Sequence, residues 1–191
     1  MVVAVVVPVK AFSQAKVRLT PRLDPATRAE LARAMAARVL RAAGTLPTSV
    51  VCDDDEVAAW AQRHGAEVIW TPGLGLNGAV DAAVEQLAAG GVHQVIAAHA
   101  DLPLATDLAW LADFPDVTLV PDRHGDGTNV ACIPATSGFR FAYGAGSFAA
   151  HRAEAARLGL TLRMVPDERL GWDVDVAADL EPPAHLALPT D

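Results

Sequence analysis

The sequence is short of cysteine, of net positive charge and of any long apolar run, and each shortage removes a class of function. Its 191 residues include two cysteines, Cys52 and Cys132. They stand far apart, without the close spacing of a zinc motif or a disulfide framework, so both are expected as reduced, buried thiols. Acidic residues outnumber basic ones by 23 to 15, for a formal charge of −8. That balance argues against a nucleic acid or an anionic membrane as partner, because phosphate backbones and lipid headgroups are held by basic surfaces. A small anionic substrate stays open, since it needs only a few local cations and a metal ion. The apolar stretch at residues 2–9 has no basic segment before it and ends at Lys10. It is too short to span a bilayer and lacks the layout of a signal peptide. It reads as a buried first strand of a cytoplasmic protein. Neither a Walker A sequence nor a Gly-x-Gly-x-x-Gly pattern follows that strand, which disfavours a P-loop hydrolase and a dinucleotide-binding fold.

What is present is a globular pattern. The chain is 52% hydrophobic and 20% charged, outside the range of a disordered protein, and long enough for one domain with a proper core. Short apolar runs at residues 2–9, 49–52, 67–70, 94–98, 117–120, 130–134 and 161–165 read as strands. Alanine-rich segments between them read as helices at 55–64, 77–89, 106–111 and 147–158. A further helix starts at Asp24-Pro25, an N-cap followed by proline at the first helical position. Leu31, Met35 and Val39 recur along it at four-residue spacing and define one apolar face. The tail after Pro182 is expected to pack loosely. Strands alternating with helices predict a single-domain three-layer α/β/α fold with a mostly parallel sheet. Ligands of such sheets bind beyond the carboxyl ends of the strands. The residues that follow each strand therefore carry the functional reading.

After the first strand, Lys10, Lys16 and Arg18 put three cations into nine residues of an acidic chain. They suit a triphosphate and the charge developing on a leaving diphosphate, or else form a solvated basic loop. After the fourth strand comes Ala-His-Ala-Asp-Leu-Pro-Leu, with Asp101 at the strand's carboxyl end. A carboxylate there can hold Mg²⁺ against phosphate oxygens, the alternative being a cap on the following turn. Near the C-terminus, Asp173 and Asp175 are two apart, so an extended backbone turns both carboxylates to one side. A cation relieves their repulsion; surface acids or a helix cap are the plainer explanation. Asp179 fits a structural role in a final helix. A glycine-bearing polar loop leads to Thr128 and Asn129, which supply hydrogen-bonding groups. Tyr-Gly-Ala-Gly-Ser then ends at Ser147, at a helix start that is either an anion site or a simple N-cap. His151, one turn on, faces the same anion or solvent, and His99 suits a packed or hydrogen-bonded role.

Taken in order from about Pro8 to Leu180, these pieces form a pattern: Pro-Val-Lys…Ala-Lys-x-Arg-Leu, Gly-Leu-Asn, His-x-Asp-Leu-Pro-Leu, Pro-Asp-Arg…Gly-Thr-Asn, Phe-x-Tyr-Gly-x-Gly-Ser-Phe and Asp-Val-Asp…Asp-Leu. The set resembles the 2-phospholactate/phosphoenolpyruvate guanylyltransferases of deazaflavin coenzyme F-420 biosynthesis. The resemblance implies a nucleotide-diphospho-sugar-transferase-like fold. It also implies transfer of GMP from GTP to the phosphate of a three-carbon acid (phosphoenolpyruvate, 2-phospho-L-lactate or 3-phosphoglycerate) with release of diphosphate. It further implies Mg²⁺ on Asp101, Asp173 and Asp175, and acid binding by Thr128, Gly144 and Ser147. Lys10, Lys16 and Arg18 match its basic loop, and Asn77 and Asn129 are candidate substrate contacts, with helix capping as the alternative for Asn77. A homo-oligomer is compatible with this reading. The rivals are a molybdopterin or sugar nucleotidyltransferase, whose glycine-rich loop after the first strand is replaced here by Val-Lys-Ala-Phe, and a non-catalytic nucleotide-binding protein.

Overall fold

A computed structural model describes residues 1–186. Seven strands form one sheet: β1 (Val3–Pro8), β2 (Thr48–Cys52), β3 (Glu67–Trp70), β4 (Gln94–Ala98), β5 (Val117–Pro121), β6 (Thr128–Pro134) and β7 (Leu162–Met164). Their order is β3-β2-β1-β4-β6-β5-β7. Only β6 runs against the rest, pairing antiparallel with both β4 and β5. Four α-helices connect the strands: α1 (Pro25–Ala42), α2 (Asp55–Arg63), α3 (Gly75–Ala89) and α4 (Ser147–Arg157).

The strands read as unbroken apolar runs because both faces of the sheet are covered. In β1, Val5 and Val7 point toward α1 and α2, while Val6 points into the core shared with α3. The same alternation separates Val50 from Val51 and Ile96 from Val95 and Ala97. Many of the helix positions against the sheet are alanine, and small side chains let helix and sheet backbones approach closely. Asp24 caps α1 as expected, its carboxylate accepting from Thr27 N–H at 3.0 Å. Met35 and Val39 are buried on the expected face, with Leu31 packed beside Met35. Cys52 and Cys132 are free and buried, and burial pushes the Cys132 thiol up to about 12.

Two expectations change. The helix foreseen at 106–111 is a 3₁₀ turn at Ala109–Asp113. Strand β6 begins at Thr128 rather than 130, because a register shift at Val120/Pro121 absorbs the preceding loop and lets pairing start earlier. Of the tail after Pro182, Pro183, Ala184 and His185 are exposed and Leu186 is buried, in a 3₁₀ turn at Ala184–Leu186. The rest of that expectation concerns residues 187–191, outside the described set.

Strand order reverses between β1 and β4, with β2 and β3 laid to one side and β4, β6, β5 and β7 to the other. The loops leaving these two strands diverge and open a crevice at the carboxyl edge. Because β6 is antiparallel, its first residues, Thr128 and Asn129, arrive at the same edge. Among the described residues no helix is long and apolar enough to cross a membrane.

Candidate active site

The crevice is a cleft of about 760 Å³. Its walls include Lys10, Lys16, Arg18, Asp101, Thr128, Asn129, Gly144, Ser147, Asp173 and Asp175, so every candidate from the sequence except Asn77 and His151 lines it. The loop after β1 is pinned at three points. Phe12 is buried edge-on against Trp60 at 5.2 Å, and Leu19 is fully buried. Arg28 of α1 donates to the Ala15 carbonyl at 2.9 Å. Between these anchors Lys16 adopts a left-handed backbone, φ 54°, unique among the described non-glycine residues. That conformation costs roughly 1–2 kcal/mol. It throws the side chain inward, where Nζ donates to Asp101 Oδ2 at 2.6 Å and to Asp175 Oδ1 at 3.3 Å. Burial disfavours the Lys16 ammonium, but the two carboxylates outweigh burial and hold its pKa above the ordinary value. Lys10 and Arg18 are exposed at the cleft, with Arg18 3.5 Å from Asp175 Oδ2.

Asp101 follows β4 by three residues, as the strand-end argument requires. Burial pushes its carboxyl up, and Lys16 and His99 more than reverse this, leaving it below the usual carboxylate range. Its Oδ1 is buried without a hydrogen-bond partner, as is His99 Nε2 beside it. Asp173 and Asp175 flank Val174, which is buried against Leu19 and Met35. The two-residue alternation thus sends Val174 to the core and both carboxylates to the cleft. Val174 N–H donates to the Asp101 carbonyl at 3.3 Å, tying the two acidic segments together. Burial, then the nearby Asp101 and Asp175 charges, raise the Asp173 pKa. Lys16, Arg18 and Arg123 stand beside these three carboxylates, with Arg123 3.5 Å from Asp173 Oδ1, and Asp53, Asp122 and Asp126 add further negative charge to the cleft.

On the opposite wall, Thr128 and Ser147 are both almost fully buried, and Thr128 N–H donates to Ser147 Oγ at 3.0 Å. Ser147 is the first helical residue of α4 rather than its cap, which is Gly146 in a left-handed conformation. The helix end is also not an open cradle of N–H groups. Asp126 accepts from Gly146 N–H at 3.1 Å through its carboxylate and from Phe148 N–H at 2.9 Å through its carbonyl. What this wall keeps are the Thr128 and Ser147 hydroxyls, each already holding one hydrogen bond within the protein. His151 faces neither an anion nor solvent: it is fully buried between Thr128 and the Ala142 backbone.

Asn77 and Asn129 each make hydrogen bonds that brace the frame of the cleft. Asn77 lies inside α3, not at its cap, and its Oδ1 accepts from Tyr143 N–H at 2.7 Å, fixing the backbone that leads into Gly144. Asn129 lines the cleft, but its amide nitrogen donates to the Leu170 carbonyl at 3.0 Å and lies 3.5 Å from Asp173 Oδ1.

This arrangement of a basic loop, carboxylates and donor hydroxyls at the sheet edge runs through almost the whole chain, and so does a family match. The family described as guanylyl transferase CofC like matches residues 3–182. The chain belongs to that family. A phosphoenolpyruvate guanylyltransferase of Sphaerobacter thermophilus is 37% identical over 190 residues, covering 95% of this chain and 92% of the relative. One of Streptomyces coelicolor is 38% identical over 188 residues, covering 92% and 86%. Among solved structures, one described as a nucleotide-diphospho-sugar transferase of Desulfovibrio desulfuricans G20 superposes with a TM-score of 0.74 at 18% identity, covering 94% of this chain and 85% of the other. A cytidylyltransferase of Leptospira borgpetersenii gives 0.63 at 14% identity, covering 95% and 84%. At such identities the structural matches speak for the fold, which is the nucleotidyltransferase-like one expected.

Within this CofC-like chain the donor set suits a hard divalent cation: carboxylate oxygens, one of them buried and unpartnered, in an excess of negative charge. Among the described residues no three His, Cys, Asp or Glu side chains converge on one point. The fit is therefore to an ion held by one or two carboxylates and completed by substrate oxygens and water, the usual habit of Mg²⁺. A second set of residues was not legible from spacing. Arg123 donates to the Asp173 carbonyl at 2.9 Å, pairs with buried Asp179 and lies over the Trp172 ring at 4.5 Å. Asp179 in turn accepts from the Asp175 and Val176 N–H groups at 2.7 and 2.8 Å. Asp179 is the structural residue it was expected to be, and it shapes the backbone that presents Asp173 and Asp175.

Proposed function

We propose that this protein transfers GMP from GTP to the phosphate of phosphoenolpyruvate, releasing diphosphate, as a step of coenzyme F-420 biosynthesis. The observation that carries the reading is the meeting, in one cleft, of the Lys10–Lys16–Arg18 loop, the Asp101–Asp173–Asp175 carboxylates and the Thr128–Ser147 hydroxyls. Family membership supports guanylyl transfer, and the names of the relatives support phosphoenolpyruvate over 2-phospho-L-lactate or 3-phosphoglycerate as acceptor.

The acceptor phosphate is already an anionic nucleophile, so no covalent intermediate on the protein is required. The protein's task is to bring two anions together. Two unit charges about 4 Å apart interact by roughly 4 kcal/mol at an effective dielectric near 20, and several such pairs must be offset. Lys10 and Arg18, exposed at the cleft, are the cations free to meet a triphosphate. Lys16, held inward by its carboxylates, adds a fixed positive charge deeper in. One or two carboxylates of the Asp101, Asp173 and Asp175 set would hold Mg²⁺, which when bound neutralises phosphate oxygens and stabilises charge on the departing diphosphate. Thr128 and Ser147, with the Gly144 backbone beside them, would bind the phospho-acid.

The test is diphosphate release with each of the four nucleoside triphosphates against each of the three acids, followed by mass spectrometry of the product. The expected outcome is release with GTP and phosphoenolpyruvate, in the presence of Mg²⁺, with a guanylylated acid as product. Binding of GTP without release against any acid would overturn the transferase reading in favour of a nucleotide-binding protein.

A further inference from the structure

The proposed acceptor wall depends on a residue that does not line the cleft. His151 lies one turn along α4 from Ser147 and has no exposed surface. Its ring is enclosed by Phe139, Phe141 and Tyr143, with centroids 5.7, 5.7 and 5.1 Å away. Nε2 is 2.9 Å from Ala142 N–H, and a backbone N–H only donates. Nε2 is therefore the bare nitrogen, and a neutral ring must carry its proton on Nδ1. Nδ1 is 2.9 Å from Thr128 Oγ1. Burial, with the nearby His99 charge, lowers the His151 pKa to about 4, so the ring is neutral near pH 7.

A hydroxyl has one proton to give and lone pairs to fill. His151 fills the acceptor role of Thr128 Oγ1 from inside the protein. Thr128 N–H does the same for Ser147 Oγ. Both hydroxyl protons are then left to point elsewhere, and both residues line the cleft. We propose that His151 is a positioning residue which, by donating through Nδ1 to Thr128, fixes the Thr128 hydroxyl as a hydrogen-bond donor toward the anionic acceptor. This rests on the reading of Thr128 and Ser147 as the acceptor's binding wall. The consequence is selectivity of charge: a wall of outward-pointing O–H groups receives a phosphate or carboxylate oxygen and offers little to a neutral or cationic group.

The first test needs no turnover. Imidazole ¹⁵N NMR of the full chain is expected to show His151 as the Nδ1–H tautomer with bare Nε2; an Nε2–H tautomer overturns the proposal whatever the protein's activity. The second is kinetic. His151→Gln can still accept from Ala142 N–H but no longer reaches Thr128 from the Nδ1 position, whereas His151→Asn keeps a donor there. The Gln variant is expected to raise the acceptor KM about tenfold with the KM for GTP unchanged, the scale of one hydrogen bond to a charged group. The Asn variant is expected to stay closer to the parent. In a Thr128→Val background the His151→Gln change should have little further effect. A rise in both KM values, or an undiminished effect with Val at 128, would show a merely structural histidine and sink the proposal. If the parent transfers GMP to no phospho-acid, the function fails first, and the tautomer measurement still decides whether His151 aims Thr128.

Discussion

At the scale of single residues, the cleft works by leaving specific charges incompletely satisfied. Asp101 has one oxygen on Lys16 and the other buried without a hydrogen bond, 3.9 Å from His99 Nδ1. Asp101→Asn keeps the shape of the side chain and removes the charge that a cation would meet. We expect it to reduce diphosphate release by three orders of magnitude or more, with the far-ultraviolet circular dichroism unchanged. Near-normal release would show that Asp101 is no part of the catalytic centre. His151 gives a second prediction, in stability rather than turnover. Unfolded, it takes a proton near pH 6.5, whereas folded it resists protonation until about 4. Between those values the unfolded chain binds more protons, so stability falls as pH drops through the window. The fall amounts to about 3 kcal/mol when complete. His99 and Glu154 are the charged neighbours that act on it. Urea titrations at pH 7 and pH 4.5 should show a smaller difference for His151→Gln than for the parent; equal differences would mean that His151 is not what titrates.

At the scale of elements, the segment after β7 shows how a stretch without regular structure becomes a precise support. Residues 171–176 form neither strand nor helix, yet Arg123 grips them from the β5–β6 loop through Asp173, Asp179 and Trp172. Arg123→Met removes the partner of Asp179, which is 3% exposed. We expect a loss of roughly 2–3 kcal/mol, below the full cost of an orphaned buried charge because two N–H groups still solvate the carboxylate. Amide exchange should quicken at Asp175 and Val176, and turnover should fall with it. Unaltered exchange there would mean that the segment is held by other contacts. This support also marks the boundary of what was legible beforehand. The strands and the helix starts could be read because local rules govern them: apolar runs bounded by turns, and Asp24-Pro25 at a helix start. Asp101, Asp173 and Asp175 could be read because a strand end and a two-residue alternation are local facts as well. Arg123 with Asp179, Asn77 with Tyr143 and His151 with Thr128 are separated by 56, 66 and 23 residues. No spacing rule connects such pairs, and for that reason Asn77 reads as a substrate contact or helix cap and His151 as facing an anion or solvent, with neither hydrogen bond foreseen. The helix start at Ser147 was legible, but not that Asp126 had already taken its N–H groups.

At the scale of the whole molecule, the chain carries a net charge of −8 and is proposed to bind two anions together. Lys10 and Arg18 cannot reverse that field alone, and six aspartates, Asp101, Asp173 and Asp175 among them, line the same cleft. GTP in the absence of a divalent ion should therefore bind weakly, repelled by the carboxylates that Mg²⁺ would neutralise. Mg²⁺ in the absence of GTP should also bind weakly, since no three side chains converge to cage it among the described residues. Together each supplies what the other lacks, so the two should stabilise the fold cooperatively. A ligand at one hundred times its dissociation constant adds about 2.7 kcal/mol to stability. For a chain of this size that corresponds to a rise in Tm of roughly 5–10 °C. Melting curves with GTP in EDTA, with Mg²⁺ alone and with both should show most of the rise only with both. The joint effect should shrink in Asp173→Asn, which removes a carboxylate that lies near the Asp101 and Asp175 charges and that a bound cation would share with Arg123. An equal rise with GTP in EDTA would mean that the basic loop alone holds the triphosphate and that the aspartates serve the frame rather than a metal.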